Sequence, residues 1–96
     1  MIPKHYLTEL SGAIARIDDS KEALEFLQNI LTPKELDEIA LRLQIFKMLG
    51  KGIPQRDIAQ KLGVSIGTIS RGSRELQYGP KGIHQLFHRL GWSTPE

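Results

Sequence analysis

An all-α fold carrying a helix-turn-helix at residues 55–77 is what this 96-residue chain predicts. Three observations point there. Apolar residues recur at three- and four-residue spacing almost throughout, the repeat of a helix face. Gly and Pro cluster at a few places, around residues 50–54, at Gly63 and at Gly79-Pro80, and break that pattern into segments. Residues 55–77 combine a small residue, a turn glycine and a polar, basic second helix within one short window.

Each segment follows from its residues. Tyr6, Leu7, Leu10, Ile14 and Ile17 form one stripe, the first helix. Asp18-Asp19-Ser20 interrupts it and supplies a cap for the next, whose stripe is Ala23, Leu24, Leu27, Ile30 and Leu31. Thr32-Pro33-Lys34-Glu35 restarts a helix. Thr32 accepts from a first-turn N–H, Pro33 has no N–H to leave unpaired, and Glu35 reaches back in a capping box. The third helix is predicted to run to about Leu49. It carries two stripes, Leu36, Ile39, Ala40, Leu43 and Phe46 on one and Leu41, Ile45, Met48 and Leu49 on the other. A helix apolar over most of its circumference needs cover on several sides. A second subunit or a central position in the fold supplies that cover. After Gly79-Pro80, Ile83, Leu86, Phe87 and Leu90 predict a last helix ended by Gly91, with Trp92–Glu96 as a short tail packed by its Trp.

Within residues 55–77, Ala59 permits two helices to cross closely and Gly63 suits the turn between them. Ile58, Leu62, Val64 and Ile69 are apolar where those helices pack, and Ser65 stands at the cap of the second. The surface of that second helix is Gly67, Thr68, Ser70, Arg71 and Arg74, small enough to approach a major groove and basic enough to stay there. Phosphate neutralisation supplies most of the affinity of such contacts. Lys51, Arg56, Lys61, Arg71, Arg74 and Lys81 are the candidates for it.

Composition narrows the alternatives. Residues 1–50 hold six Lys and Arg against eight Asp and Glu, and residues 51–96 hold seven against three. The basic second half suits a polyanion, although charge alone also fits sampling noise in a short chain. Without cysteine there are neither disulfides nor thiolate metal sites. No run approaches a membrane span, and Met1-Ile2-Pro3-Lys4 lacks the pattern of a secretory leader, so the expectation is a cytoplasmic protein with no membrane partner. His84 and His88 stand four apart as in a zinc helix, but no further ligands accompany them, and no metal site is expected. No nucleophile elbow, phosphate-binding glycine loop or acid–base carboxylate pair is present, so no catalytic residue is expected.

Leu31-Thr32-Pro33, Glu35, Arg42, Gln55-Arg56-Asp57-Ile58, Leu62-Gly63, Thr68-Ile69-Ser70-Arg71-Gly72-Ser73 and Leu76 together resemble the bacterial tryptophan repressor family. Thr68–Ser73 is the most specific piece, since a generic helix-turn-helix has no need of Arg-Gly-Ser there. The resemblance implies a six-helix, intertwined homodimer of one domain spanning 1–96. Residues 1–50 would form the dimerisation core and 80–91 the C-terminal helix. It implies a sequence-specific repressor of a pseudo-palindromic operator in double-stranded DNA, with L-tryptophan as corepressor and no other cofactor.

By position, the resemblance places Arg42 and Arg71 on either side of the indole, with Arg42 and Thr32 at the carboxylate. Ile45, Phe46 and Thr68 would line the pocket, Gly72 would let the ring approach, and the backbone at Asn29 and Leu31 would receive the ammonium. On the DNA side it points to Arg56, Ile66, Gly67, Thr68, Ser70 and Arg71, with Arg74 beside them from the basic surface. One departure stands out. The family's pocket serine is Glu75 here, which can pair with an ammonium, pair with Arg42 or Arg71, block the pocket or select another ligand. A ligand-independent or differently liganded DNA-binding regulator on the same fold, and a protein-interaction module whose helix-turn-helix no longer meets DNA, are the alternatives the sequence leaves open.

Overall fold

A computed structural model of the chain describes residues 1–92; the tail expected at residues 93–96 lies outside them. Six helices follow one another, α1 (Lys4–Ala15), α2 (Ser20–Ile30), α3 (Pro33–Gly50), α4 (Gln55–Leu62), α5 (Ile66–Tyr78) and α6 (Gly82–Leu90), and no strand occurs among the described residues. Two compact units divide the chain, residues 1–37 and residues 38–96.

In the first unit, α1 ends at Ala15, so Ile17 falls just beyond the helix its stripe predicted. The cap of α2 is Asp19, whose carboxylate accepts from the Glu22 N–H at 2.8 Å. The predicted capping box is present. The Glu35 carboxylate accepts from the Thr32 N–H at 2.8 Å, and Thr32 Oγ1 accepts from the Glu35 N–H at 3.2 Å. Two of the orphan donors at the start of α3 are satisfied in this way. Neither α1 nor α2 has a buried residue, and Tyr6, Leu7, Leu10, Ile14, Leu24 and Ile30 are all exposed.

The second unit holds the core. Ile45 and Met48 from α3 meet Ile58 from α4 and Ile69 from α5, with Leu49, Ile53, Ala59, Leu62 and Val64 packed around them. Ile45, Met48 and Leu49 of one apolar stripe of α3 are thereby covered, while its Leu41, and Ile39 and Leu43 of the other, remain exposed. Between α4 and α5, Gly63 adopts φ +68°, a left-handed conformation that closes the turn at little cost only for glycine. The Val64 N–H returns to the Ala59 carbonyl at 3.1 Å, and Ser65 Oγ accepts from the Thr68 N–H at 3.2 Å to cap α5.

At its far end α3 includes Gly50, one residue past the predicted stop. Phe87, buried on α6, packs beside it: a Cβ at Gly50 would stand 3.5 Å from its ring, an ordinary contact distance. Trp92 packs on Phe87, with ring centroids 5.4 Å apart, and Lys47 Nζ lies 4.5 Å from the Trp92 ring. The expected packing of Trp92 against the last helix is therefore seen, and α6 is anchored on the end of α3.

Candidate ligand groove and nucleic-acid interface

Where α5 crosses α3, the two helices leave a half-open groove of about 570 Å³. Glu38, Leu41, Arg42, Ile45 and Phe46 line it from α3, and Thr68, Arg71, Gly72 and Glu75 from α5. That volume suits a small molecule. The closeness of the crossing depends on Gly72. A Cβ at that position would lie 3.1 Å from Ile45 Cγ2 and 3.4 Å from Phe46 Cε1.

Every residue expected to bind a ligand, apart from Thr32 and the backbone of Asn29 and Leu31, lies on this groove. Thr32 belongs to the first unit, where its side chain caps α3. Two residues that the resemblance did not point to, Glu38 and Leu41, also line it. The signal for Glu38 was its place one turn before Arg42 on the same helix. At the other end of the groove a short hydrogen-bonded chain links the cap of α5 to Arg71. Ser65 Oγ and Thr68 Oγ1 are 2.9 Å apart, and Arg71 Nη2 donates to Thr68 Oγ1 at 3.4 Å.

The residues expected at DNA separate by exposure. Arg56, Ile66, Gly67, Arg71 and Arg74 are exposed, Thr68 is half-buried, and nothing but Ser65 Oγ, at 3.8 Å, stands near the position a Cβ would take on Gly67. The first turn of α5 is thus small and accessible, and its N-terminal dipole end favours phosphate. Ser70 is placed differently. It is half-buried, and its Oγ donates to Gln55 Oε1 at 2.9 Å, which ties α5 to the first turn of α4. Lys51 and Lys61 are exposed, and Lys81 turns its ammonium to the Gln77 carbonyl. His84 Nε2 lies 2.7 Å from the Leu76 carbonyl. Among the described residues no group of three or more His, Cys, Asp or Glu is placed to hold a metal, and no helix is long and apolar enough to cross a membrane.

The sequence pattern of the family described as Trp repressor protein matches residues 5–91. The chain belongs to the Trp repressor family. It is 43% identical over 74 residues to the Trp operon repressor homolog of Actinobacillus succinogenes, covering 76% of this chain and 72% of that one. To the uncharacterized protein YerC of Bacillus subtilis it is 34% identical over 84 residues, covering 88% and 81%. Among solved structures, a TrpR-like protein from Eubacterium eligens matches with a TM-score of 0.86 at 35% identity, covering 96% of this chain and 95% of its own. The all-α, six-helix Trp-repressor-like fold is therefore shown. Membership of the Trp repressor family makes the chain a DNA-binding transcription regulator, in a family of regulators and not of enzymes.

Proposed function

We propose that the chain is a repressor that binds a pseudo-palindromic operator as a homodimer and takes L-tryptophan as corepressor. The observation that carries this reading is the meeting of Arg42, from α3, and Arg71, from α5, on one groove with Ile45 and Phe46. Guanidinium planes stack on aromatic faces and pair with carboxylates. Two of them beside apolar side chains suit an indole that bears a carboxylate.

A ligand held between α3 and α5 fixes the angle at which the helix-turn-helix, α4 and α5, meets the major groove. DNA and ligand then raise each other's affinity, as linkage requires. The exposed apolar faces of α1, α2 and one side of α3 support the dimer, since a second copy supplies the cover that the chain itself lacks. Two recognition helices related by a twofold axis read half-sites about 34 Å apart, one turn of DNA.

Selection from random duplexes, at one salt concentration with and without L-tryptophan, tests the reading. Enrichment of a palindrome only with tryptophan supports it. Equal enrichment without tryptophan overturns the corepressor and leaves the DNA-binding regulator. The double variant Arg42→Ala, Arg71→Ala should lose tryptophan binding, and unchanged binding refutes the pocket.

One observation favours a ligand-independent regulator on the same fold. The space over Gly72 is already filled by Ile45 and Phe46, so helix packing alone accounts for this glycine. That reading expects the same palindrome in both arms of the selection.

A further inference from the structure

A chain of hydrogen bonds runs along α5 from the groove to the cap of the helix. Arg71 Nη2 donates to Thr68 Oγ1 at 3.4 Å, and Thr68 Oγ1 lies 2.9 Å from Ser65 Oγ. Ser65 Oγ in turn accepts from the Thr68 N–H at 3.2 Å. Each of these residues follows the last by three positions, so they stack along one side of the helix. Arg71 and Thr68 line the groove and Ser65 does not. The exposed first turn of α5, with Ile66 and Gly67, starts at the Ser65 cap.

Arg71 is available to a ligand. Two carboxylates, Glu38 and Glu75, share the groove with Arg42 and Arg71, two acids against two bases. Among the described residues no ion pair closes between them, and the Glu75 carboxylate lies against Gly79. A guanidinium has several N–H donors, and the bond to Thr68 uses one of them. At 3.4 Å that bond is long, and both ends of the chain, Ser65 and Arg71, are exposed. Without a ligand the three side chains therefore keep much of their rotamer freedom. An anion held by Arg71 fixes the guanidinium, the guanidinium fixes the Thr68 hydroxyl, and the hydroxyl fixes Ser65. A turn ordered in this way gives up less freedom when DNA docks on it, so ligand and DNA favour each other.

We propose that Thr68 is the positioning residue that couples the groove to the first turn of α5: its hydroxyl passes the occupancy of Arg71 to the Ser65 cap. The inference rests on the groove being an amino-acid site and on α5 reading DNA, as proposed above.

Calorimetry of L-tryptophan with the full chain, alone and saturated with a duplex carrying the selected palindrome, tests this at one salt concentration. The readout is the ratio of the two affinities, which a uniform loss of ligand affinity leaves unmoved. In the native chain tryptophan should bind about tenfold or more tightly when the duplex is present. Thr68→Val keeps the branched shape without the hydroxyl and should lower that ratio about fivefold, the scale of ordering one side chain. Ser65→Ala, at the exposed end of the chain and off the groove, should lower it likewise. Thr68→Ser keeps the hydroxyl and should keep the native ratio. A native ratio near one, a ratio unchanged in Thr68→Val or Ser65→Ala, or one lost in Thr68→Ser refutes the relay and leaves the amino-acid site standing. If the native chain binds no tryptophan, the amino-acid site itself is refuted, and this inference with it.

Discussion

Ile66→Ala and Ile69→Ala, three residues apart on α5, should separate recognition from folding. Ile69 is 0% exposed within the core of Ile45, Met48 and Ile58, whereas Ile66 is 54% exposed. Truncation removes the same carbons from each. At Ile69 every one of those carbons is out of water, and their loss leaves a cavity, so the expected cost is about 3 kcal/mol. At Ile66 about half the surface is already wet, and the better helix propensity of alanine offsets much of the remainder, leaving about 0.5 kcal/mol or less. For a chain this short each kcal/mol moves the melting temperature by roughly 4–8 °C, so Ile69→Ala should melt at least about 12 °C lower and Ile66→Ala within about 4 °C of the native protein. Thermal and urea unfolding at one fixed protomer concentration measure this, because association couples stability to concentration. DNA affinity measured where both variants are folded should still fall for Ile66→Ala, whose side chain stands free at the start of α5. Equal destabilisation by the two substitutions, or a cost at Ile69 below about 1 kcal/mol, refutes the packing argument.

The capping box gives a pH dependence. The Thr32 backbone N–H first, and its side chain second, hold the Glu35 carboxyl below its ordinary 4.5. A depressed folded-state pKa contributes stability that is present above the unfolded value and lost as pH falls through the folded value. Acid unfolding of the native chain should therefore show a loss below about pH 4.5 that Glu35→Gln lacks, and parallel curves through that window contradict the assignment. Gln55→Ala and Ser70→Ala each remove one end of the hydrogen bond between α4 and α5. A double-mutant cycle on DNA affinity should show a coupling of about 1 kcal/mol. Strict additivity, with a change of base preference in Ser70→Ala alone, shows instead that Ser70 touches DNA.

What was legible in the sequence was what depends on neighbours along the chain. Asp19, Thr32 with Glu35, and Ser65 cap their helices through bonds spanning three residues. A chain that short in contour leaves little choice of partner, so residue type nearly decides the outcome. Gly63 was legible for the same reason, as the turn demands its backbone and not its contacts. Gly50 and Ser70 were not. Read locally, Gly50 is a helix breaker, yet it stays helical where Phe87, thirty-seven positions on, packs beside it. Read by helix surface, Ser70 belongs with the exposed residues of α5, yet the crossing of α4 and α5 brings Gln55 to its hydroxyl. The groove lies between these cases. Its arginines and glycine were legible through the family resemblance. That four charges would share it without closing a pair depends on side-chain directions that only the assembled helices define.

Thr68 has a consequence for how such a protein diversifies. One hydroxyl meets the cap of α5 through Ser65, accepts from Arg71 and lies on the groove wall. A change at that codon touches the entrance to the helix and the groove together, so neither can be retuned there alone. Residue 75 carries no such double duty: it lies two turns further along α5, away from the cap and on the groove. Variation at residue 75 therefore alters the groove while leaving the first turn of α5 untouched, so the two surfaces are free to diverge separately.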